Sequence, residues 1–264
     1  MSSTQAGQVS ALLDGLASGA VEIVDLTQPL SENTPVIQLP PPFLNTPGLT
    51  REAISHYDER GPAWAWYTLT LGEHVGTHVD APIHWVTGKD GLDIGSIPPQ
   101  TLVGPAYVID KTAETEAAGG DYLLTVADLE AWEAEHGRVP DGAWVLLRSG
   151  WSSRAQAQDA FLNADDNGPH TPGPDVEASR WLAGERAIAG FGTETVGIDA
   201  GAAGGMDPPF PLHNFLLGAG RLGLTQLANL DRLPITGALL VVAPLRLVGG
   251  TGSPSRVYAF VPRG

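Results

Sequence analysis

The sequence contains no cysteine. Disulfides, thiolate metal sites and cysteine nucleophiles are excluded together. Any metal would have to be held by His, Asp, Glu or backbone oxygen. Basic residues are scarce, with 14 Lys and Arg against 30 Asp and Glu and a formal net charge of −16. Such a surface is repelled by phosphate backbones and anionic headgroups, so nucleic-acid and electrostatic membrane partners are not expected. Long hydrophobic runs are also missing. The longest, Gly237 to Leu245, is too short to span a bilayer. The first basic residue is Arg51, so the positive region of a signal peptide is not present and a cytoplasmic protein is expected.

Glycine and proline, by contrast, are abundant, at 33 and 22 residues. Together they predict many turns and irregular loops, while 42% hydrophobic residues suffice for a sizeable core. The pattern predicts one mixed α/β domain over residues 1–264, with parallel and antiparallel strands and residues 1–20 as an N-terminal helical extension. Residues 7–17 read as a short amphipathic helix. Strands are expected at Val21–Leu26, Trp64–Leu71, 106–110, 143–148, Thr195–Asp199, Leu239–Leu247 and Val257–Val261. Thr125 and Asp128 form a capping-box pattern for a helix running to His136, with Gly137 as its stop. Asp175 is placed to cap a helix from Val176 to about Arg186, and His213–Leu217 reads as helical. The Pro-rich stretch from Pro29 to Pro47 cannot be regular structure. Its apolar Leu39, Phe43 and Leu44 suit a loop lying over a cleft or a neighbouring subunit.

Residues 74–85 read His-Val-Gly-Thr-His-Val-Asp-Ala-Pro-Ile-His-Trp. Three of the chain's seven histidines and a carboxylate fall within this stretch. Imidazole nitrogen and carboxylate oxygen suit Zn²⁺ or Mn²⁺. On a strand His78 and Asp80 project to one face, about 6.6 Å apart. His74 and His78 would be about 13 Å apart on a straight strand, so the chain must bend between them, and Gly76 is the residue that permits it.

Residues 74–84 match the pattern H-x-G-T-H-x-D-x-P-x-H at every fixed position and so resemble the cyclase-like metal-dependent hydrolase family, which includes kynurenine formamidases and isatin hydrolases. Arg148-Ser149-Gly150-Trp151, Pro172-Gly173 followed by Trp181-Leu182, Gly197-Ile198-Asp199, His213 with Leu216-Leu217, and Leu227-Ala228-Asn229-Leu230 resemble further blocks of that family. The resemblance implies an α/β fold of the swivelling β/β/α type and a homodimer or higher homo-oligomer. It implies His74, His78 and Asp80 as ligands of one divalent ion, Mn²⁺ or Zn²⁺, with His84 and His213 beside it as catalytic histidines. Many formamidases have Glu where this chain has Gln226. An amide is a weak ligand and no carboxylate base, so a single ion is expected, with Gln226 orienting water or substrate.

Three protein ligands leave a position free for water, the arrangement of a catalytic ion. His84 is the best candidate for general base and proton shuttle. His213 could orient the water or protonate the leaving nitrogen. The expected reaction is hydrolytic opening of a cyclic amide such as isatin, a γ-lactam or an imide. Hydrolysis of N-formylkynurenine and a non-catalytic metal-binding role are the alternatives. Trp64, Trp66, Trp85 and Phe210 could line a flat ring pocket, although ordinary core packing explains such residues as well.

Overall fold

The computed structural model describes residues 3–263. Helix α1 (Ser3–Ser18) precedes strand β1 (Val21–Asp25). A ribbon of β2 (Thr50–Asp58) and β3 (Gly61–Thr70) follows the Pro-rich stretch. The remaining strands of the main sheet are β4 (His78–Asp80), β5 (Val103–Asp110), β6 (Trp144–Arg148), β7 (Gly190–Thr193), β8 (Leu222–Thr225), β9 (Ala238–Pro244) and β10 (Gly252–Pro262). Neighbouring strands run β1-β10-β9-β5-β6-β7-β8-β4, and β4 also pairs with β10. That second pairing closes seven of the eight strands into a barrel-like ring, and β1 pairs with the C-terminal half of β10, sending Val24 into the same core as the ring strands. Strands β5 to β8 are mutually parallel and the other pairings of this sheet are antiparallel, as the expected mixed α/β class requires. No helix among the described residues is long and apolar enough to cross a membrane.

The run Trp144-Val-Leu-Leu147 is apolar without alternation because both faces of β6 are covered. Trp144 and Leu146 join one core cluster with Val79, Leu224 and Leu240. Val145 and Leu147 join the other with Phe191, Leu129 and Leu182. The last two belong to helices α2 (Val126–His136) and α3 (Val176–Gly184). Both helices start where their caps predict. Thr125 and Asp128 form a reciprocal capping box, and Gly137 ends α2 at φ 89°. The Asp175 carboxylate accepts the Ala178 N–H at 2.7 Å. Helix α3 ends slightly before the expected Arg186.

One strand is displaced from its expected place. Residues Thr195–Asp199 are irregular, and the strand lies just before them, at Gly190–Thr193. β-Branched residues suggested the wrong segment because packing decides the matter here. A side chain at Gly190 would meet the Leu222 carbonyl oxygen at 2.5 Å, so only a bare backbone fits between the neighbouring strands there. The segment 195–199 is thereby freed to carry Asp199 to the end of the sheet. The ribbon strand β2 and the short β8 are absent from the sequence expectations, while β4 is the strand on which His78 and Asp80 were expected.

Asp128 also accepts an ion pair from Lys111 Nζ at 2.8 Å. Burial works against its charge, but hydrogen bonds from Lys111 and Thr125 prevail and bring its pKa down from 3.8 to about 2. Asp128→Ala is expected to lower stability by about 1 kcal/mol at neutral pH. A carboxylate with a lowered folded-state pKa stabilises above its unfolded value. The difference from wild type, read by denaturant melts, is therefore expected to shrink as pH falls from about 4 towards about 2. A pH-independent difference would assign the effect to packing instead.

Candidate active site

Strand β4 sits at the closure of the ring, and its register places the site. His78 pairs with Thr225 and Pro254, and Asp80 with Gly223 and Gly252. Thr77, just before β4, locks this end. Its hydroxyl donates to the Gln226 carbonyl at 2.6 Å and accepts the Gln28 N–H at 2.9 Å. The expected bend occurs at Gly76, which has φ 64° and lies against Leu30 and Thr34 of the Pro-rich stretch. The bend brings the His74 and His78 rings to 5.2 Å centroid separation, where a straight strand would hold them apart.

His74, His78 and Asp80 each offer one ligand atom, and these atoms lie within 4.8 Å of one another. This is the one such convergence found among the described residues. His74 Nδ1 is 2.8 Å and His78 Nε2 3.4 Å from Asp80 Oδ1. The opposite nitrogen of His78, Nδ1, lies 2.7 Å from the Gly76 carbonyl. An N–H donated there leaves the Nε2 lone pair facing Asp80, the orientation a metal ligand needs. Asp80 is 2% exposed. Burial opposes its charge, yet the facing imidazoles of His74 and His78 hold its pKa well below the usual carboxylate range. A buried anion flanked by two imidazole donors and open to a third partner fits a divalent cation by charge and by ligand type.

Two more histidines complete the cluster. His84, in the helical turn Pro82–His84, stacks on His74 at 4.0 Å between centroids. Burial pushes its pKa down to about 4, with Asp80 opposing and the neighbouring imidazoles reinforcing the shift. His213 opens a π-helical turn, His213–Leu217. Its Nε2 is 3.8 Å from Asp80 Oδ2, and its Nδ1 hydrogen-bonds to Asp199. Asp199 also accepts the backbone N–H groups of Leu212 at 2.7 Å and His213 at 3.1 Å. Burial disfavours the charged form of His213, but the Asp199 hydrogen bond and the charges of Asp199 and Asp80 outweigh it and raise the pKa. Asp199 is the functional neighbour that the spacing argument missed. The sole sequence signal is its place in Gly197-Ile198-Asp199, far from His213 in the chain.

The aromatic candidates divide. Trp85 lies 4.8 Å from His213 and 5.7 Å from Phe210 between centroids, so these two flank the histidines. Trp64 and Trp66 do not. They sit on β3, 48% and 54% exposed, ring to ring at 6.3 Å. No ring contact or hydrogen bond joins them to the histidine cluster among the described residues. Gln226 is 1% exposed, at φ 54°. Its Nε2 reaches the Pro35 carbonyl at 3.4 Å, and its Oε1 is buried without a hydrogen-bond partner. Such an orphan acceptor calls for a water or ligand. Pro35 itself is buried, so the first part of the Pro-rich stretch covers the site region, while Phe43 and Leu44 remain exposed.

Comparison with known proteins places this geometry. A family model described as "Putative cyclase" matches residues 24–200. The isatin hydrolase of Roseibium aggregatum is 51% identical over 251 residues, 94% of this chain and 95% of that protein. The kynurenine formamidase of Salinibacter ruber is 27% identical over 194 residues, 72% of this chain and 76% of that protein. A crystal structure of an isatin hydrolase bound to the product analogue thioisatinate superposes with a TM-score of 0.95 at 49% identity, covering 100% of both chains. The arrangement built around Asp80 is thus carried on a chain similar to proteins named isatin hydrolase and kynurenine formamidase, and the chain belongs to the putative cyclase family.

Proposed function

We propose that this protein is a metal-dependent amidohydrolase that opens isatin, or a closely similar cyclic amide, at the bond between ring carbonyl and nitrogen. The observation that carries the proposal is the buried convergence of His74, His78 and Asp80 between two histidines whose proton affinities are pushed in opposite directions. The similarity to isatin hydrolases across the whole chain supports the substrate. In this proposal residues 1–264 form one catalytic domain of the swivelling β/β/α type, with residues 1–20 as its N-terminal helical extension.

His74, His78 and Asp80 would hold one Mn²⁺ or Zn²⁺. When bound, the ion supplies Lewis acidity, lowering the pKa of water and polarising a carbonyl. Gln226 brings no negative charge, which favours one ion over two. His84 is neutral at physiological pH and can take a proton from the attacking water. His213 is biased towards its protonated form. Asp199 takes the Nδ1–H and leaves Nε2 directed at the reaction centre, from which a proton can pass to the departing ring nitrogen. Two titratable groups with opposite shifts divide the base and acid roles. Trp85 and Phe210 offer apolar faces for a flat ring.

Four residue-level facts also favour an oligomer. Ile54, Trp64, Trp66 and Leu69 leave an apolar two-stranded ribbon exposed at 44%, 48%, 54% and 56%. A lone ribbon is marginal in water, and exposed apolar patches mark association surfaces. We assign it to contact between copies in a homodimer or higher homo-oligomer. Light scattering is expected to show wild type as an oligomer and Trp64→Ser/Trp66→Ser as a monomer. A monomeric wild type would contradict this assignment.

Metal-loaded enzyme is expected to turn over isatin faster than a γ-lactam or N-formylkynurenine when assayed side by side. Faster turnover of N-formylkynurenine would replace the proposal by an arylformamidase reading. His84→Ala is expected to lower kcat about 10²–10⁴-fold with ion content unchanged, and parallel loss of the ion would make His84 a ligand.

The kcat–pH profile tests the acid and base roles. Activity is expected to rise as pH increases through about 4, where His84 loses its proton, and to fall above the raised pKa of His213. Asp199→Asn removes the support for the imidazolium, so the alkaline limb is expected to move to lower pH. An unmoved limb would deny His213 the acid role.

A further inference from the structure

His74 has a second set of neighbours, on the side away from Asp80. Its Nε2 lies 2.9 Å from Thr251 Oγ1. The Thr251 hydroxyl donates to Glu73 Oε2 at 2.6 Å, and the Thr251 backbone N–H donates to the same oxygen at 3.0 Å. A threonine hydroxyl has one hydrogen. With that hydrogen committed to the carboxylate, the oxygen can only accept from His74. His74 Nε2 must therefore carry a proton, and in the neutral imidazole this leaves the lone pair on Nδ1, the atom 2.8 Å from Asp80 Oδ1.

We infer that Glu73 and Thr251 are positioning residues that hold His74 in the tautomer and ring orientation required of a metal ligand. The inference rests on the metal-site reading given above and adds to it two residues outside the motif. The frame is rigid for a structural reason. The Thr251 carbonyl accepts the Ala81 N–H at 2.9 Å, and the next residue, Gly252, pairs with Asp80 across β4 and β10. The strand junction that seats Asp80 thus also seats the hydroxyl that orients His74. His78 is oriented independently, by the Gly76 carbonyl, so loss of the Glu73–Thr251 relay would free one ligand and leave the other two in place. The competing arrangement has His74 Nδ1–H donating to Asp80, which uses up both ligand atoms on one another. The relay disfavours it.

The experiment compares wild type, Thr251→Val, which keeps the shape without the hydroxyl, and Thr251→Ser, which keeps the hydroxyl. Chelator competition gives the dissociation constant for Zn²⁺ in each, and ¹⁵N spectroscopy of histidine reports the His74 tautomer. Thr251→Val is expected to bind Zn²⁺ about 10–100-fold more weakly, the usual range for loss of an outer partner of a ligating histidine. Thr251→Ser is expected to stay close to wild type. Wild type free of ion is expected to show a proton on His74 Nε2, a readout that holds even if the valine variant does not fold. Equal affinity in wild type and Thr251→Val, or a His74 Nε2 without a proton in wild type, overturns the relay alone. A wild-type protein that takes up no Zn²⁺ or Mn²⁺ overturns the metal reading, and the relay with it.

Discussion

The structure around the site depends on one buried carboxylate. Asp80 lies in the middle of the strand junction that closes the ring, where water cannot solvate it. An isolated carboxylate in such a place is costly, and what offsets the cost is the set of imidazoles facing it. His74 and His78 approach one of its oxygens and His213 the other. Every other feature of the site follows from keeping these groups convergent. The bend at Gly76 turns His74 back, the double pairing of β4 fixes the height of Asp80, and the Thr77 hydroxyl ties the motif to the end of β8. The proposed cation completes a charge arrangement that the protein alone leaves acidic at its centre.

The same carboxylate gives the two remaining histidines different characters. Both His84 and His213 are buried, and burial alone would lower the proton affinity of both. His84 has only imidazoles and the more distant charge of Asp80 around it, so burial prevails. His213 has a dedicated carboxylate in Asp199, whose two oxygens take a side-chain and two backbone donors from the start of the π-helical turn. One cluster thus holds a proton acceptor and a proton donor on opposite flanks. The displaced strand has functional weight for this reason. If residues 195–199 had been the strand, Asp199 could not have turned to meet His213.

Local features of the sequence were legible and long-range ones were not. The motif from His74 to His84, the bend it requires, and the caps at Thr125 and Asp175 are set by neighbours within a few residues, where spacing and geometry speak directly. Trp85 and Phe210 lie beside the histidines, whereas Trp64 and Trp66 stand on the exposed ribbon, because alternation along a strand does not tell whether a second layer covers it. Strand β7 was missed because Gly190 and Gly192 carry no β propensity and are called for by the close approach of β6 and β8 on either side. Asp199 and His213 meet across a loop, and Glu73 and Thr251 touch although 178 residues of chain separate them. No local pattern joins either pair.

The most direct measurement is anomalous diffraction from crystals soaked with Mn²⁺. A single peak bounded by His74 Nδ1, His78 Nε2 and the Asp80 carboxylate is the expected result. No peak there, or a second peak of equal height between His84, His213 and Gln226, would contradict a one-ion site centred on Asp80.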